Sequence, residues 1–177
     1  MKKIVSLFQR NYDGDKLVRD EVVPGAEWVL AGEGVATRKF DGTCCMVRRG
    51  RLYKRFDAKA GKTPPDGFEP AQDPDPITGH WPGWVAVGDG PADRWHREAF
   101  SGREPGGTYE LCGPKINGNP ENLADHRLIS HDLVEFEDCP RTFEGLREWL
   151  KDKTIEGIVW HHPDGRMAKI KRKDFWR

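Results

Sequence analysis

The sequence predicts an α+β fold built on antiparallel β-sheet. Many short segments are rich in β-branched and aromatic residues, and turns such as Asp41-Gly42 and Gly50 separate them. Helical spacing is rare, and many strands with few helices are typical of this fold class. A chain of 177 residues fits one compact domain, here residues 1–177, with a long insertion.

The predicted strands divide the chain into short extended segments. Asp41-Gly42 closes a tight turn because glycine accepts a positive φ angle, and Pro163-Asp164-Gly165 joins the last two strands. The strands are expected at residues 3–8, 35–40, 43–49, 52–56, 108–112, 128–136, 155–161 and 166–172.

Prolines and glycines dominate an insertion at about residues 61–107. Trp81, Trp84 and Trp95 interrupt it, so the segment is too aromatic for a flexible linker. We expect an ordered but irregular insertion whose tryptophans form a small core, with a short helix near residues 92–100.

The clearest helix is predicted to start after Thr142 and to end near Lys153. Phe143, Leu146 and Leu150 recur at helical spacing after this threonine. A threonine is a favourable N-cap because its hydroxyl accepts a hydrogen bond from the first turn.

The charges are unevenly distributed although the formal net charge is +0. Residues 38–62 and 166–177 are strongly basic, whereas residues 66–104 are mainly acidic. A neutral protein does not hold nucleic acid by global charge alone. Two basic segments that met in space would form a local anion site, and solvated surface strands are the alternative.

The four cysteines, Cys44, Cys45, Cys112 and Cys139, show no spacing typical of a zinc site. Buried reduced thiols are the better interpretation. No apolar run is long enough to span a bilayer, and no signal-peptide pattern starts the chain. We therefore expect a cytoplasmic protein that does not interact with membranes.

The C-terminal hairpin makes a geometric prediction. A two-residue Asp164-Gly165 turn would pair Trp160 with Lys169, and counting along the strands then puts Glu156, Lys169 and Lys171 on one face. Such a cluster suits a magnesium-bound polyphosphate, and weak surface ion pairs are the alternative. The same register puts Val159 and Ile170 on the opposite face.

Lys39 is predicted to lie at a strand end, before the Asp41-Gly42 turn. A free lysine has a pKa near 10.4 and is a poor nucleophile at neutral pH. Crowding by Arg38, Lys169, Lys171 and a metal would depress this pKa. The same cations would neutralise the triphosphate during attack on its α-phosphorus.

Glu110 lies in the segment Tyr109-Glu110-Leu111-Cys112-Gly113, a strand that ends in glycine. Its carboxylate could accept a hydrogen bond from a ribose hydroxyl, and an ordinary exposed strand position is the alternative. The sequence lacks a phosphate-binding G-x-x-x-x-G-K-[ST] loop and a dinucleotide fingerprint.

Taken in order, these segments resemble the motifs of covalent nucleotidyltransferases, which comprise ATP-dependent DNA ligases, RNA ligases and mRNA capping enzymes. The sequences of these segments are most similar to those of the small 5′-to-3′ RNA ligases that also occur in vertebrates. The matching segments are Lys39-Phe-Asp-Gly-Thr-Cys-Cys45, Tyr53-Lys-Arg-Phe-Asp-Ala-Lys59, Tyr109-Glu-Leu-Cys-Gly-Pro-Lys-Ile-Asn-Gly-Asn-Pro120 and Ile155-Glu-Gly-Ile-Val-Trp-His161, followed by Lys169-Ile-Lys171.

The resemblance implies an antiparallel-sheet nucleotidyltransferase fold, the ATP-grasp-like adenylation domain of ligases. It implies that Lys39 becomes adenylylated and that Glu156 acts through Mg²⁺ or Mn²⁺. Lys169 and Lys171 would hold the α-phosphate.

The remaining implied roles concern the nucleoside. Asp41 would position the lysine and the ribose, Arg55 would contact the nucleotide, and Glu110 would bind ribose. Val159 would line one face of adenine, and the opposing residue is expected within residues 128–131. We expect the histidines to be structural or surface groups rather than a metal cluster. His126 and His131 are the candidates for another role, because they flank the strand expected to face adenine.

The implied reaction joins RNA ends that carry a 5′-phosphate and a 3′-hydroxyl, with ATP as the source of AMP. Only about six residues follow Lys171, so we expect no OB-fold, with RNA bound by the basic strands or also by the Pro/Trp-rich insertion. We also expect a monomer. The alternatives are a nucleotidyltransferase with another acceptor, such as a DNA nick or a protein, and a non-catalytic nucleotide- or RNA-binding module.

Overall fold

Strands dominate the described part of the chain, as the short extended segments predict. The computed structural model describes residues 1–59, 61–76, 78–133 and 136–176. These residues form two compact units. The four-stranded unit comprises Ile4–Phe40 and His131–Arg177, and the six-stranded unit comprises Met1–Lys3 and Asp41–Ser130.

The elements follow one another in a simple order. The strands are β1 Val5–Ser6, β2 Phe8–Arg10, β3 Val18–Val22, β4 Val35–Lys39, β5 Thr43–Arg48, β6 Arg51–Ala58, β7 Glu69–Pro70, β8 Trp81–Ala86, β9 Gly107–Cys112, β10 Arg127–Ser130, β11 Gly157–His161 and β12 Met167–Lys171. The helices are α1 Glu27–Leu30, α2 Arg94–Ala99 and α3 Phe143–Lys151, and 3₁₀ turns cover Pro91–Asp93 and Arg172–Asp174.

The four-stranded unit is built on a sheet of order β1-β12-β11-β4. β11 runs antiparallel to β12 and to β4, and β1 is parallel to β12. One face of this sheet forms the core, where Ile158, Trp160 and Ile170 are all 0% exposed. Leu146 and Leu150 of α3 belong to the same apolar cluster.

Thr142 begins α3 as predicted. Its side chain accepts a hydrogen bond from the backbone N–H of Gly145 at 3.3 Å. The helix ends at Lys151, two residues before the predicted end. The cap and the apolar spacing together specified this helix from sequence alone.

The six-stranded unit is built on an antiparallel sheet of order β10-β9-β5-β6-β8-β7. Cys45, Leu52 and Leu111 form the core on one face, and Trp95 of α2 packs against it. The expected combination of helices with mainly antiparallel sheets is therefore confirmed.

The prediction of an irregular insertion was wrong for residues 81–86. These residues form β8, which pairs with β6 along its whole length, and Trp84 is only 4% exposed. The sequence pattern did not predict this strand, because its Pro82 and Gly83 are both unusual inside a sheet. Gly83 is required there, since an added Cβ atom would lie 2.3 Å from the Phe68 ring. The short helix expected near residues 92–100 is present as α2.

Two further strand predictions differ from the structure. The predicted strand at residues 3–8 is divided into β1 and β2, because Leu7 bonds in two directions: its N–H donates to the Lys169 carbonyl, and its carbonyl accepts from Val23 N–H. The predicted strand at 128–136 starts one residue earlier, and β10 ends at Ser130. Residues 134 and 135 lie outside the described residues.

None of the helices in the described ranges is both long enough and apolar enough to cross a membrane.

Candidate active site

The hairpin of β11 and β12 has a different register from the predicted one. Val159 pairs with Lys169 and Gly157 pairs with Lys171, one residue away from the expected pairs. His162 N–H donates to the Arg166 carbonyl, so the loop contains three residues, 163–165, instead of two. Gly165 has a φ angle of +90°, which suits the left-handed position of such a loop.

This register changes which residues share a face. Val159, predicted to lie opposite the lysines, lies on the same face as Lys169 and Lys171, because paired residues point to one side. Ile170 lies on the core face, as predicted, together with Ile158. Val159, the expected adenine contact, therefore lies on the same surface as Lys169 and Lys171.

Lys39 joins that face from the neighbouring strand. β4 pairs with β11 so that Lys39 lies opposite Gly157 and Thr37 lies opposite Val159. Gly157 is thus flanked by Lys39 on one side and by Lys171 on the other. The lysines from two distant segments are brought together by the pairing of strands within one sheet.

Glu156 precedes β11 and bridges two of these lysines. Its Oε2 atom lies 2.5 Å from Lys39 Nζ, and its Oε1 atom lies 2.6 Å from Lys171 Nζ. The Glu156 side chain is 9% exposed, and the lysines are 18% and 23% exposed. These are partly buried ion pairs, in contrast to the weak surface pairs considered as the alternative.

The backbone holds Glu156 in this position. Its carbonyl accepts a hydrogen bond from Arg172 N–H at 2.8 Å. The neighbouring Gly157 is needed for close strand packing, because an added Cβ atom would lie 2.1 Å from the Ile170 carbonyl oxygen. The Glu156-Gly157 pair therefore combines a charged side chain with a position that admits no side chain.

The electrostatics of the cluster act in opposite directions on its members. Burial raises the pKa of Glu156, but the positive charges and hydrogen bonds of Lys39 and Lys171 outweigh it and hold this pKa below its usual range. Burial lowers the pKa of Lys169 to about 8, and the charges of Lys171 and Lys39 add to the effect. At neutral pH the site has a surplus of positive charge, which is suited to binding a polyanion.

Arg38 does not join this cluster. It pairs with Ile158, whose side chain lies on the opposite face of the sheet from Lys39. Its guanidinium group stacks over the Phe40 ring at 4.6 Å. The prediction that Arg38 crowds Lys39 ignored the alternation of side chains along a strand, which separates neighbouring residues.

Thr37 is a residue of this face that the sequence analysis missed. It is 4% exposed, and its hydroxyl donates to the Val159 carbonyl at 3.2 Å and lies 3.0 Å from His161 Nε2. Burial lowers the pKa of His161. Thr37 could have been predicted on this face, because it lies two residues before Lys39 and alternate residues of a strand share a face.

The six-stranded unit carries two further predicted nucleotide contacts, Glu110 and Arg55, in one row. Cys44 pairs with Glu110, and the register of β5 with β6 continues this row to Arg55, which pairs with Trp84. These residues lie on the face opposite to the core of this unit. The structure thus brings Glu110 and Arg55 onto one surface, separated by a single strand.

Contacts within the unit hold the Arg55 end of this row. Glu110 is 8% exposed. The Arg55 guanidinium lies over the Trp84 ring at 5.0 Å and donates to the Met1 carbonyl at 2.6 Å. Burial lowers the pKa of Arg55. Cys44, expected to be buried, is partly exposed in the middle of the row, whereas Cys45, Cys112 and Cys139 are buried free thiols.

Asp41 belongs to the six-stranded unit and is held by a loop after β9. Its N–H donates to Glu121 Oε1 at 3.0 Å, and its Oδ1 atom accepts from Asn117 Nδ2 at 3.0 Å. Neither Asn117 nor Glu121 was predicted as a site residue, although Asn117 lies in a segment that matches the RNA ligases. His126 accepts Lys115 N–H at 3.2 Å and is 7% exposed, so its contacts in this unit are structural.

Comparisons with known proteins agree with the motifs. A family model described as RNA ligase 1 matches residues 104–176, a segment that contains Glu110, Glu156, Lys169 and Lys171. RNA ligase 1 of Mus musculus is 28% identical over an alignment covering 78% of this chain and 65% of the mouse protein. RNA ligase 1 of Danio rerio is 25% identical, with 77% and 66% covered. The chain spans about two thirds of the length of the curated relatives it matches. The resemblance to small RNA ligases is thereby confirmed: this chain is similar over most of its length to proteins named RNA ligase 1.

Proposed function

We propose that this chain is an ATP-dependent RNA ligase that links AMP to Lys39 and then uses that AMP to join RNA ends. The observation that carries the proposal is the cluster on the four-stranded sheet. Lys39 lies 2.5 Å from Glu156, which also contacts Lys171 at 2.6 Å. The similarity to proteins named RNA ligase 1 supports RNA as the substrate.

In the first step the Lys39 amine attacks the α-phosphorus of ATP. A nitrogen–phosphorus bond forms, the bond from that phosphorus to the pyrophosphate oxygen breaks, and the nitrogen loses a proton. In this structure the Lys39 ammonium donates to Glu156. The ammonium must leave this ion pair and lose a proton before its lone pair is available for attack.

Lys169 and Lys171 are suited to stabilise the negative charge on the phosphate oxygens during this attack. They are two residues apart in β12, so their side chains lie on the same face of the strand. Fixed cations in a partly buried site stabilise a charged transition state more strongly than the same groups in water. Lys169, with its pKa lowered to about 8, changes charge near physiological pH.

Glu156 is the residue that would hold Mg²⁺ or Mn²⁺. A carboxylate is a suitable oxygen ligand for these ions, and the Glu156 carboxylate is already surrounded by cations. A metal bound there would neutralise phosphate charge. It would also compete with Lys39 and Lys171 for the carboxylate oxygens.

Val159, Glu110 and Arg55 are the residues proposed to contact the nucleotide. Val159 lies on the face of the lysines, consistent with an apolar contact to adenine. Glu110 and Arg55 share one face of the six-stranded sheet, where a carboxylate suits a ribose hydroxyl and a guanidinium suits a phosphate. Asp41 is proposed to act in positioning, because its polar groups are held by neighbouring residues.

Two further steps complete the proposed reaction. An oxygen of an RNA 5′-phosphate attacks the phosphorus of the lysine-bound AMP, the nitrogen–phosphorus bond breaks, and a 5′-to-5′ pyrophosphate linkage forms. A 3′-hydroxyl oxygen then attacks the RNA 5′-phosphorus, AMP leaves, and the hydroxyl proton is released. Between these steps the AMP group stays activated, first by its nitrogen–phosphorus bond to the lysine and then by the pyrophosphate linkage to the RNA.

The test is an end-joining assay with 5′-labelled, 5′-phosphorylated RNA, ATP and Mg²⁺ or Mn²⁺. We expect adenylylated RNA and joined RNA, and neither product with Lys39→Arg. RNA without a 3′-hydroxyl should stop at the adenylylated product. Joining of DNA alone, or transfer of AMP from this chain to another protein, would contradict the RNA assignment. ATP binding without any transfer would indicate a non-catalytic binding module.

A further inference from the structure

The Asp41-Gly42 turn is held by an extensive set of hydrogen bonds within the six-stranded unit. Asp41 N–H donates to Glu121 Oε1 at 3.0 Å. The Asn117 amide group donates to Asp41 Oδ1 at 3.0 Å and to the Gly42 carbonyl at 2.9 Å. Two side chains from one distant loop therefore bind both backbone and side-chain groups of the turn.

This loop, residues 113–123, is itself fixed by internal bonds. Asn119 uses both side-chain groups, since its Oδ1 accepts from Leu123 N–H and its Nδ2 donates to the Leu123 carbonyl, each at 3.0 Å. Asn117 and Asn119 have φ angles of 49° and 60°, a region that asparagine tolerates better than most residues. The loop is therefore ordered by its own sequence.

The start of the loop is anchored to the sheet. Lys115 N–H donates to His126 Nε2 at 3.2 Å, and the opposite ring nitrogen contacts Glu98 Oε1 at 2.8 Å. The His126 ring stacks on Trp95 with 4.5 Å between centroids. An added Cβ atom at Gly113 would lie 2.6 Å from this ring, so the loop packs directly against it.

The turn also packs against the strand that carries Glu110. A Cβ atom at Gly42 would lie 2.2 Å from the Leu111 carbonyl and 2.9 Å from Glu110 Cγ. Only glycine allows this approach. A displacement of the turn would therefore be transmitted to the proposed ribose contact, in addition to Asp41 itself.

We propose that Asn117 and Glu121 are positioning residues that set the conformation of Asp41 and so the rate of AMP transfer to Lys39. This inference rests on the proposed function. The two residues act through Asp41, and the adenylylation step is where they are expected to matter, because the turn directly follows Lys39 in the chain. A turn held in one conformation needs no reorganisation when the nucleotide binds.

Asn117→Asp is the sharpest variant, because it keeps the shape and exchanges the donor for an acceptor. The new carboxylate would face the Asp41 carboxylate and the Gly42 carbonyl, so two attractions become two repulsions. Asn122→Asp is the matched control. Asn122 is exposed in the same loop, also has a positive φ angle, and receives the same change of charge.

Glu121 provides a pair of variants with opposite expectations. Glu121→Ala removes the acceptor for Asp41 N–H, whereas Glu121→Gln keeps an oxygen in the same place. A requirement for the hydrogen bond predicts that the glutamine variant is active and that the alanine variant is impaired. A requirement for the negative charge predicts that both are impaired.

The experiment measures single-turnover labelling of the protein from α-labelled ATP over a range of ATP concentrations, with melting temperature as a check on folding. We expect the rate constant at saturating ATP to fall about tenfold or more in Asn117→Asp and Glu121→Ala. The half-saturating ATP concentration and the melting temperature should stay close to those of the unmodified protein. Asn122→Asp and Glu121→Gln should retain its rate.

The outcomes separate this inference from the proposed function. Labelling of the unmodified protein together with an unchanged rate in Asn117→Asp would overturn the positioning role and leave the ligase proposal intact. A rate loss that matches a fall in melting temperature, or an equal loss in Asn122→Asp, would also overturn it. No labelling of the unmodified protein would overturn the proposed function itself.

Discussion

The Nζ atom of Lys39 lies 2.5 Å from the Oε2 atom of Glu156, although 117 positions separate the two residues in the chain. The contact follows from strand pairing, since Lys39 ends β4 opposite Gly157, the residue after Glu156. The same carboxylate contacts Lys171. In the proposed reaction, a nucleotide or a metal ion would have to displace this ion pair before Lys39 could react.

Replacing Glu156 should impair both chemistry and stability. In Glu156→Gln the shape is kept, but Lys39 and Lys171 lose their shared counter-charge. We expect labelling from α-labelled ATP to fall about 100-fold or more, as for other groups that act on transition-state charge. We expect the free energy of unfolding to fall by about 2 kcal/mol in urea denaturation, because cations are left unpaired in a partly buried site.

Glu144→Gln on α3 is the control for this change. Glu144 is an exposed residue, with a 3.8 Å contact to Arg147. The free energy of unfolding should change by less than about 0.5 kcal/mol, and labelling should be unaffected. Equal effects of the two substitutions would contradict a special role for Glu156.

The titration of Lys169 gives a prediction with a definite sign. Its pKa is lowered from 10.5 to about 8 by burial and by the charges of Lys171 and Lys39. The unfolded chain therefore binds more protons between these values, so the contribution of Lys169 to the free energy of unfolding rises with pH over that interval. An NMR titration of the lysine side chains should show one group with an apparent pKa near 8.

Two substitutions should move this pKa in opposite directions. Lys171→Met removes a neighbouring positive charge and should raise the pKa of Lys169, whereas Glu156→Gln removes a negative charge and should lower it further. A Lys169 signal that titrates near the usual lysine value in the unmodified protein, or that ignores both substitutions, would contradict this electrostatic account.

Gly157 should be intolerant of any side chain. In Gly157→Ala the added methyl group would overlap the Ile170 carbonyl oxygen at 2.1 Å and push β11 from β12. We expect the free energy of unfolding to fall by about 2 to 3 kcal/mol, measured by denaturant titration, together with loss of labelling. Gly90→Ala is a suitable control, because nothing lies within 4 Å of an added Cβ atom. A stable, active Gly157→Ala protein would argue against this strand packing.

Glu110 should govern recognition of the ribose. The Glu110 carboxylate is proposed to accept a hydrogen bond from a ribose hydroxyl. In Glu110→Ala, the selectivity for ATP over the deoxy analogue that lacks this hydroxyl should therefore fall about tenfold. Competition of ATP with 2′-deoxy-ATP and with 3′-deoxy-ATP for protein labelling measures this preference. Unchanged selectivity against both analogues would remove Glu110 from the proposed ribose site.

Sequence patterns were sufficient where local rules determine structure. The α3 helix could be predicted because Thr142 caps it and because Leu146 and Leu150 repeat at helical spacing. The association of Lys169 with Lys171 on one face follows from alternation alone. Lys39 and Glu156 were joined by motif resemblance rather than by any local pattern, since their contact depends on sheet order.

The errors have physical causes in turn geometry and in sheet context. The predicted register of the β11–β12 hairpin was wrong by one residue. Gly165 takes the left-handed position of a three-residue loop instead of ending a two-residue turn. That shift placed Val159 on the wrong face. β8 was missed because its Pro82 and Gly83 are unfavourable in an isolated strand, yet pairing with β6 and packing by Phe68 stabilise it.

Asn117 and Glu121 illustrate what one sequence leaves out. Both lie in a polar loop with several asparagines and glycines, which predicts turns without identifying their contacts. Their hydrogen bonds to Asp41 cross 76 and 80 positions of the chain. Only the folded arrangement reveals that this loop is hydrogen-bonded to the Asp41-Gly42 turn.

The most direct test of the central claim is peptide mapping by mass spectrometry after incubation of the protein with ATP and Mg²⁺ or Mn²⁺. We predict that one AMP group is found on the peptide that contains Lys39, with the modified nitrogen at Lys39 itself, and that Lys39→Arg carries none. AMP attached to Lys169 or Lys171, or ATP-dependent joining of RNA without any AMP-modified peptide, would contradict the account.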